Sequence, residues 1–230
     1  MPESNSISPL ASSCQLLVVT AADWASTTAR LQRFARERCD SAWQAQGSAI
    51  KVSLGRAGLG WGIGLHPGSG EPIKREGDGK APAGIFAISA LFGEAEAGSQ
   101  FAQSARLPYR CATGDLKCID DPASRYYNRV IDQREVEAID WHSHEEMRRD
   151  DERYVIGAVI AHNAECRPEA GSCIFLHVWQ ADGVPTAGCT AAALADVSEI
   201  CSWLDAAAHP LLVQLPVAEY RRYQDAWRLP

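Results

Sequence analysis

Leu59, Trp61, Ile63 and Leu65 alternate with Gly60, Gly62 and Gly64. A repeat of two belongs to a strand, and here it gives one bulky face and one bare face. The bare face lets another backbone approach closely. Ile50, Val52 and Leu54 alternate just before it, so Gly55-Arg56-Ala57-Gly58 reads as the turn of a hairpin. Short apolar runs at Leu16–Val19, Ile85–Ile88, Val155–Ile160 and Leu211–Leu215 read as further strands. In Cys173–Trp179 the residues Cys173, Phe175, His177 and Trp179 share one face, and Ile174, Leu176 and Val178 the other.

Helical signals are fewer. Asp23 as an N-cap, with Leu31, Phe34, Ala35 and Arg38 on helical spacing, predicts a helix over Trp24–Cys39. Ser143 with Glu146 fits a capping box opening a short helix to about Tyr154. Leu194, Val197, Cys201 and Leu204 predict a helix to about Ala208. Residues 93–135 read as irregular and polar. Strands do not alternate regularly with helices, which argues against a doubly wound parallel sheet. The expected fold is mainly β with peripheral helices: a mixed, largely antiparallel β sandwich or barrel.

A chain of 230 residues supports one sizeable core. Residues 1–13, rich in Ser, Pro and Asn, read as a flexible tail, 14–216 as one domain and 217–230 as a C-terminal extension. A net charge of −7 argues against a nucleic-acid partner. No apolar run reaches the roughly 18 residues of a membrane span. Met1–Ser13 holds no Lys, no Arg and no long apolar segment. The chain as given therefore reads as cytoplasmic, with the periplasm or cell envelope as the alternative if a leader has been removed. The eight cysteines form no CxxC pair, which argues against a zinc ribbon or a thioredoxin-like site. Cys14, Cys39 and Cys201 fall in apolar patterns and read as core. A disulfide such as Cys118–Cys166 stays open for an oxidising compartment.

The chemistry-bearing segment starts at His177 and reaches Cys189 through Pro185-Thr186-Ala187-Gly188. A cysteine flanked by small residues can expose its sulfur, and a histidine twelve positions earlier returns beside it if the loop folds back. The imidazole then takes the thiol proton and the sulfur attacks a carbonyl. Backbone N–H groups at Gly188 and Cys189 are candidates for holding the oxyanion. Trp179 shares the His177 face and is a candidate substrate contact, as is His162 at the end of the neighbouring strand. His142 and His144 read as a solvated helix end, His66 and His209 as surface residues beside prolines. Lys74–Lys80 reads as a solvated loop bordering the groove, and Asp120-Asp121 as a turn before Pro122. No metal site is expected.

The segment Gly171–Cys189, GSCIFLHVWQADGVPTAGC, resembles the active-site segment of the L,D-transpeptidase (YkuD-type) catalytic domain. Leu59–Gly64, Lys74–Lys80, Pro82-Ala83-Gly84, Asp120-Asp121-Pro122, Tyr127-Asn128, Trp141, Met147 and Trp203-Leu204 extend the likeness over about 50–215. Eight residues separate His177 from Thr186, fewer than the family's spacer; Ala187 and Ala191 stand where the family's second His and its Arg or Asn would be. The resemblance implies Cys189 as nucleophile, His177 as its base, the Val178 carbonyl as the group orienting the imidazole, Gly188 as the turn and oxyanion residue, and Thr186 as a pocket wall. It implies acyl transfer on peptidoglycan stem peptides. Cys189 would attack the bond between the diamino acid L-centre and D-alanine, leaving a thioester. Water as acceptor gives an L,D-carboxypeptidase acting on a muropeptide, the expected activity for a cytoplasmic chain. An amine gives a transpeptidase forming 3-3 cross-links or attaching lipoprotein, and some members release it. A non-catalytic peptidoglycan-binding module is the remaining alternative. The thioester route needs no cofactor, and oligomeric state is not legible.

Overall fold

A computed structural model describes residues 8–67 and 70–230. The elements in chain order are β1 (Gln15–Ala21), β2 (Thr28–Ala35), β3 (Gln44–Ser53), β4 (Leu59–Trp61), β5 (Ala81–Gly93), α1 (Gln100–Ser104), β6 (Tyr109–Cys111), β7 (Leu116–Cys118), β8 (Val130–Asp132), β9 (Glu145–Glu146), β10 (Ile156–Ile160), β11 (Phe175–Val178), β12 (Thr190–Ala192), α2 (Leu194–Trp203), β13 (Leu211–Pro216) and α3 (Val217–Trp227). The chain is mainly β with few helices, as its alternation implies.

Eight strands close a ring in the order β5-β10-β11-β12-β3-β2-β1-β13, because β10 pairs with β5 as well as β11. Within the ring β1–β13 and β11–β12 are parallel and the other pairings antiparallel. Closure removes the exposed edges that an open sheet would have to protect. The interior is a continuous apolar cluster, to which α2 contributes Val197, Ile200 and Cys201.

The structure corrects several sequence expectations. Residues 28–35 form β2 instead of a helix, because pairing on both sides with β1 and β3 outweighs the local helical spacing. β4 does not form a hairpin with β3; it runs parallel to β5 and ends at Trp61. The glycines do serve close approach: a Cβ on Gly62 would stand 2.8 Å from the His162 ring and from Pro82. Around Tyr154 there is only a 3₁₀ turn, and Glu145–Glu146 form β9 on β7, so Ser143 opens no helix. Residues 93–135 hold short elements, α1 and β6–β8. The expected tail falls partly outside the described residues, but Leu10 and Ser13 are buried, and Ser8 bonds the Trp227 carbonyl at 2.7 Å. The C-terminal extension is α3, whose Trp227 is buried and stacks on Tyr223 at 4.4 Å.

A second apolar cluster lies between the barrel and the small sheet β8-β7-β9. It contains Phe92, Leu116, Cys118, Met147, Tyr154, Cys173, Phe175 and Cys189. A disulfide joins Cys118 at the end of β7 to Cys173 just before β11, where the expected partner was Cys166. Cys166 is free. Of the cysteines expected in the core, Cys201 is buried, whereas Cys39 is exposed and Cys14 half-buried, their sulfurs 3.4 Å apart.

The bridge closes a loop of 55 residues. In the chain-entropy account a loop of that length stabilises the fold by about 4 kcal/mol. Cys118→Ser with Cys173→Ser should therefore lower the unfolding free energy in urea by about that amount. An unchanged midpoint would show that the small sheet stays docked without the bridge.

Candidate active site

The β11–β12 pairing builds the site. Leu176 lies opposite Thr190 and His177 opposite Ala191 in a parallel ladder. Cys189 immediately precedes Thr190, so its side chain falls on the same face as Phe175 and His177. The loop between the strands is held back onto the residue that follows β3, where Thr186 N–H donates to the Leu54 carbonyl at 2.8 Å. Behind Cys189, Thr190 Oγ1 donates to Gln214 Oε1 at 2.7 Å, and Gln214 Nε2 donates to the Pro82 carbonyl at 2.9 Å. These buried bonds tie β12 to β13 and β5 one residue beyond the sulfur.

Cys189 and His177 are each 6% exposed and line one cleft of about 420 Å³. Thr186, Ala187, Trp179, Tyr154, Glu145 and Arg149 are also part of its wall. Trp179 and Thr186, two of the candidate substrate-binding residues, are thus part of the same cleft as Cys189 and His177. The thiol sits between the Phe175 N–H, which donates to Sγ at 3.3 Å, and the Cys173 carbonyl, 3.5 Å away. His177 Nδ1 lies 2.8 Å from the Val178 carbonyl. A carbonyl only accepts, so Nδ1 carries the proton and Nε2 keeps its lone pair for use as a base.

Electrostatics set the resting protonation. Burial pushes the Cys189 thiol up to about 12, and the Glu145 carboxylate adds to this; the Phe175 N–H and the Lys74 ammonium oppose it. Burial lowers His177 to about 4, partly offset by the Val178 bond, while Arg153 and Arg149 lower it further. The pair therefore rests as neutral thiol and neutral imidazole, so any attack by the sulfur would require its proton to move at the same time. Burial alone lifts Cys201 equally far, to about 12. What sets Cys189 apart is the cleft and the histidine in it.

Three expectations are corrected. Gly188 N–H donates to Thr186 Oγ1 at 3.1 Å, and that hydroxyl donates to the Cys189 carbonyl at 2.6 Å. The Gly188 amide is thus engaged in the turn, and its role is close approach: a Cβ there would stand 3.1 Å from the Lys80 carbonyl. His162 does not line this cleft. Its Nδ1 accepts from Ile63 N–H at 3.2 Å and its Nε2 donates to the Ala170 carbonyl at 2.9 Å, so both nitrogens are spent on structure. Lys74 is 5% exposed instead of solvated, with its ammonium on Asp78 Oδ1 at 2.7 Å.

Of the remaining histidines, His66 is buried and accepts from Ile85 N–H at 3.0 Å; His209 is exposed. Asp121 forms the expected turn, accepting from Ala123 N–H at 3.0 Å. No group of three or more His, Cys, Asp or Glu suited to a metal occurs among the described residues. The residues missed from sequence are Tyr154 and Glu145. The Tyr154 ring meets His177 edge-on at 5.2 Å, and its hydroxyl bonds Glu145. The apolar and acidic residues around them give no periodic signal, because strand β9 is only two residues long. No protein-family model, curated protein or solved structure matches the chain.

Of the three buried histidines, His177 and His162 make stability most acid-sensitive. Each titrates near 6.5 unfolded and at about 4 folded, so unfolding takes up protons. Their contribution is intact above pH 6.5 and is lost as pH falls towards 4. Between pH 7 and 5 each should cost about 2 kcal/mol of stability. Urea titrations across that range should show the loss, and His162→Gln should make the slope shallower; an identical slope in the variant would contradict a neutral buried His162.

Proposed function

We propose that this chain is a cysteine acyltransferase that works through a thioester on Cys189. The observation that carries the reading is the placement of Cys189 and His177 in one cleft, with His177 Nδ1 committed to Val178 and Nε2 left as base. The same carbonyl is the one that the resemblance to L,D-transpeptidases implies as the orienting group. That resemblance supplies the substrate class: a peptidoglycan stem peptide attacked between the diamino acid L-centre and D-alanine.

The steps follow from the groups present. As the thiol attacks, Nε2 of His177 takes its proton and the S–C bond forms. With the Gly188 amide engaged by Thr186, the Cys189 N–H is the oxyanion donor in this reading. The imidazolium then gives its proton to the departing D-alanine nitrogen. Water or an amine completes the cycle, giving a carboxypeptidase or a transpeptidase. The carboxypeptidase reading suits recycled muropeptides in the cytoplasm. The Cys118–Cys173 disulfide favours the second reading, a transpeptidase on the envelope side of the membrane, because such bridges persist in oxidising compartments.

The test is a disaccharide-tetrapeptide digested with and without a second D-amino acid, with products read by mass spectrometry. D-Alanine should be released, Cys189→Ala should abolish release, and His177→Gln should reduce it by about 10²–10⁴-fold. Tripeptide alone would identify hydrolysis; exchange or dimers would identify transfer. Equal inertness of wild type and Cys189→Ala would overturn the reading and favour a binding module.

A further inference from the structure

One carboxylate on the cleft wall, that of Glu145, works against the first half of the proposed reaction. The Glu145 carboxylate acts electrostatically on the Cys189 thiol and holds its proton on, which hinders attack. A negative group beside a nucleophile that must become negative needs another use.

Its surroundings show that it is not spent within the protein. Among the charged groups of the cleft, Glu146 is bonded to Lys117 and to His144. Arg149 and Arg153 both pair with Asp151, and Arg149 also lies over the Tyr154 ring at 5.2 Å. Glu145 forms no ion pair among the described residues; its hydrogen bond is from the Tyr154 hydroxyl. Burial raises its pKa, and Arg149 opposes this only in part. A carboxylate on the cleft wall whose one direct partner is a neutral hydroxyl is left able to take a cation from a ligand.

We propose that Glu145 seats a primary ammonium of the substrate beside the Cys189–His177 pair. This rests on the acyl-transfer reading and gives the acceptor or donor its chemistry. An ammonium there cancels the charge that opposes thiolate formation. If it belongs to the acceptor, Glu145 also takes its proton, leaving a neutral amine. The nitrogen lone pair then attacks the thioester carbonyl, the N–C bond forms and the C–S bond breaks. His177 moves the surplus nitrogen proton to the departing sulfur, and Glu145 returns its own proton to solvent. Tyr154 is the positioning residue, fixing the carboxylate from the His177 side.

Glu145→Gln keeps an oxygen for the Tyr154 hydroxyl while removing the charge. Three ratios within each protein test the role. The first compares D-alanine release from tetrapeptide with a free and with an acetylated side-chain amine. The second compares amine transfer with hydrolysis when a primary amine is added. The third compares iodoacetamide labelling of Cys189 with and without that amine. Wild type should show at least a tenfold preference in the first ratio if the donor supplies the ammonium, or in the second if the acceptor does. Glu145→Gln should lower that ratio at least tenfold, and the amine should change Cys189 labelling in wild type alone. Ratios equal in both proteins would overturn the role of Glu145. Failure of wild type to release D-alanine would instead overturn the acyl-transfer reading, and the labelling ratio would still decide whether Glu145 seats an amine.

Discussion

The parallel pairing of β11 with β12 is the constraint on which the site depends. A parallel pair cannot be joined by a tight turn, so the chain needs a crossover of about a dozen residues. Residues 179–189 supply it, and they carry Trp179 and Thr186 into the cleft wall on the way. The register then puts His177 and Cys189 on one face without any contact between distant segments having to be tuned. Shifting β12 by one residue would turn the sulfur to the opposite face. The Thr190–Gln214–Pro82 bonds and the Thr186–Leu54 bond oppose that slip from either end.

The second constraint is the apolar cluster under β8-β7-β9. It puts Phe92, Phe175 and Tyr154 around strand β11, with Phe92 and Phe175 5.1 Å apart and Tyr154 against both. This packing dries the sulfur and the imidazole, which raises one pKa and lowers the other. A dry pair of this kind rests neutral on both sides. The disulfide anchors the cluster to the residue whose carbonyl faces the thiol, so the same segment serves fold and site.

Much of this was legible in the residues. The two faces of Cys173–Trp179 reappear as the two apolar clusters, Phe175 and Cys173 in one, Ile174, Leu176 and Val178 in the other. The glycine-lined stretch does admit a close neighbour. Strand β2 was hidden because Leu31, Phe34 and Ala35 satisfy a helical spacing, and only pairing with β1 and β3 decides against it. Gly188 and His162 were misread because backbone hydrogen bonds leave no trace in sequence: one amide is claimed by Thr186, and one ring by Ile63 and Ala170. Glu145 was hidden for a related reason. An acidic residue next to another reads as solvated until the fold half-buries one and pairs the other.

The central claim is that Cys189, a buried thiol, forms a covalent acyl bond with His177 as its base. The most direct measurement is acid-quenched intact-mass analysis of wild type mixed with stem tetrapeptide, followed by peptide mapping. The account predicts an adduct equal to the peptide minus D-alanine, mapped to Cys189 and cleaved by hydroxylamine. Release of D-alanine with no adduct at any quench time, or an adduct mapped to another cysteine such as Cys166 or Cys111, would contradict it.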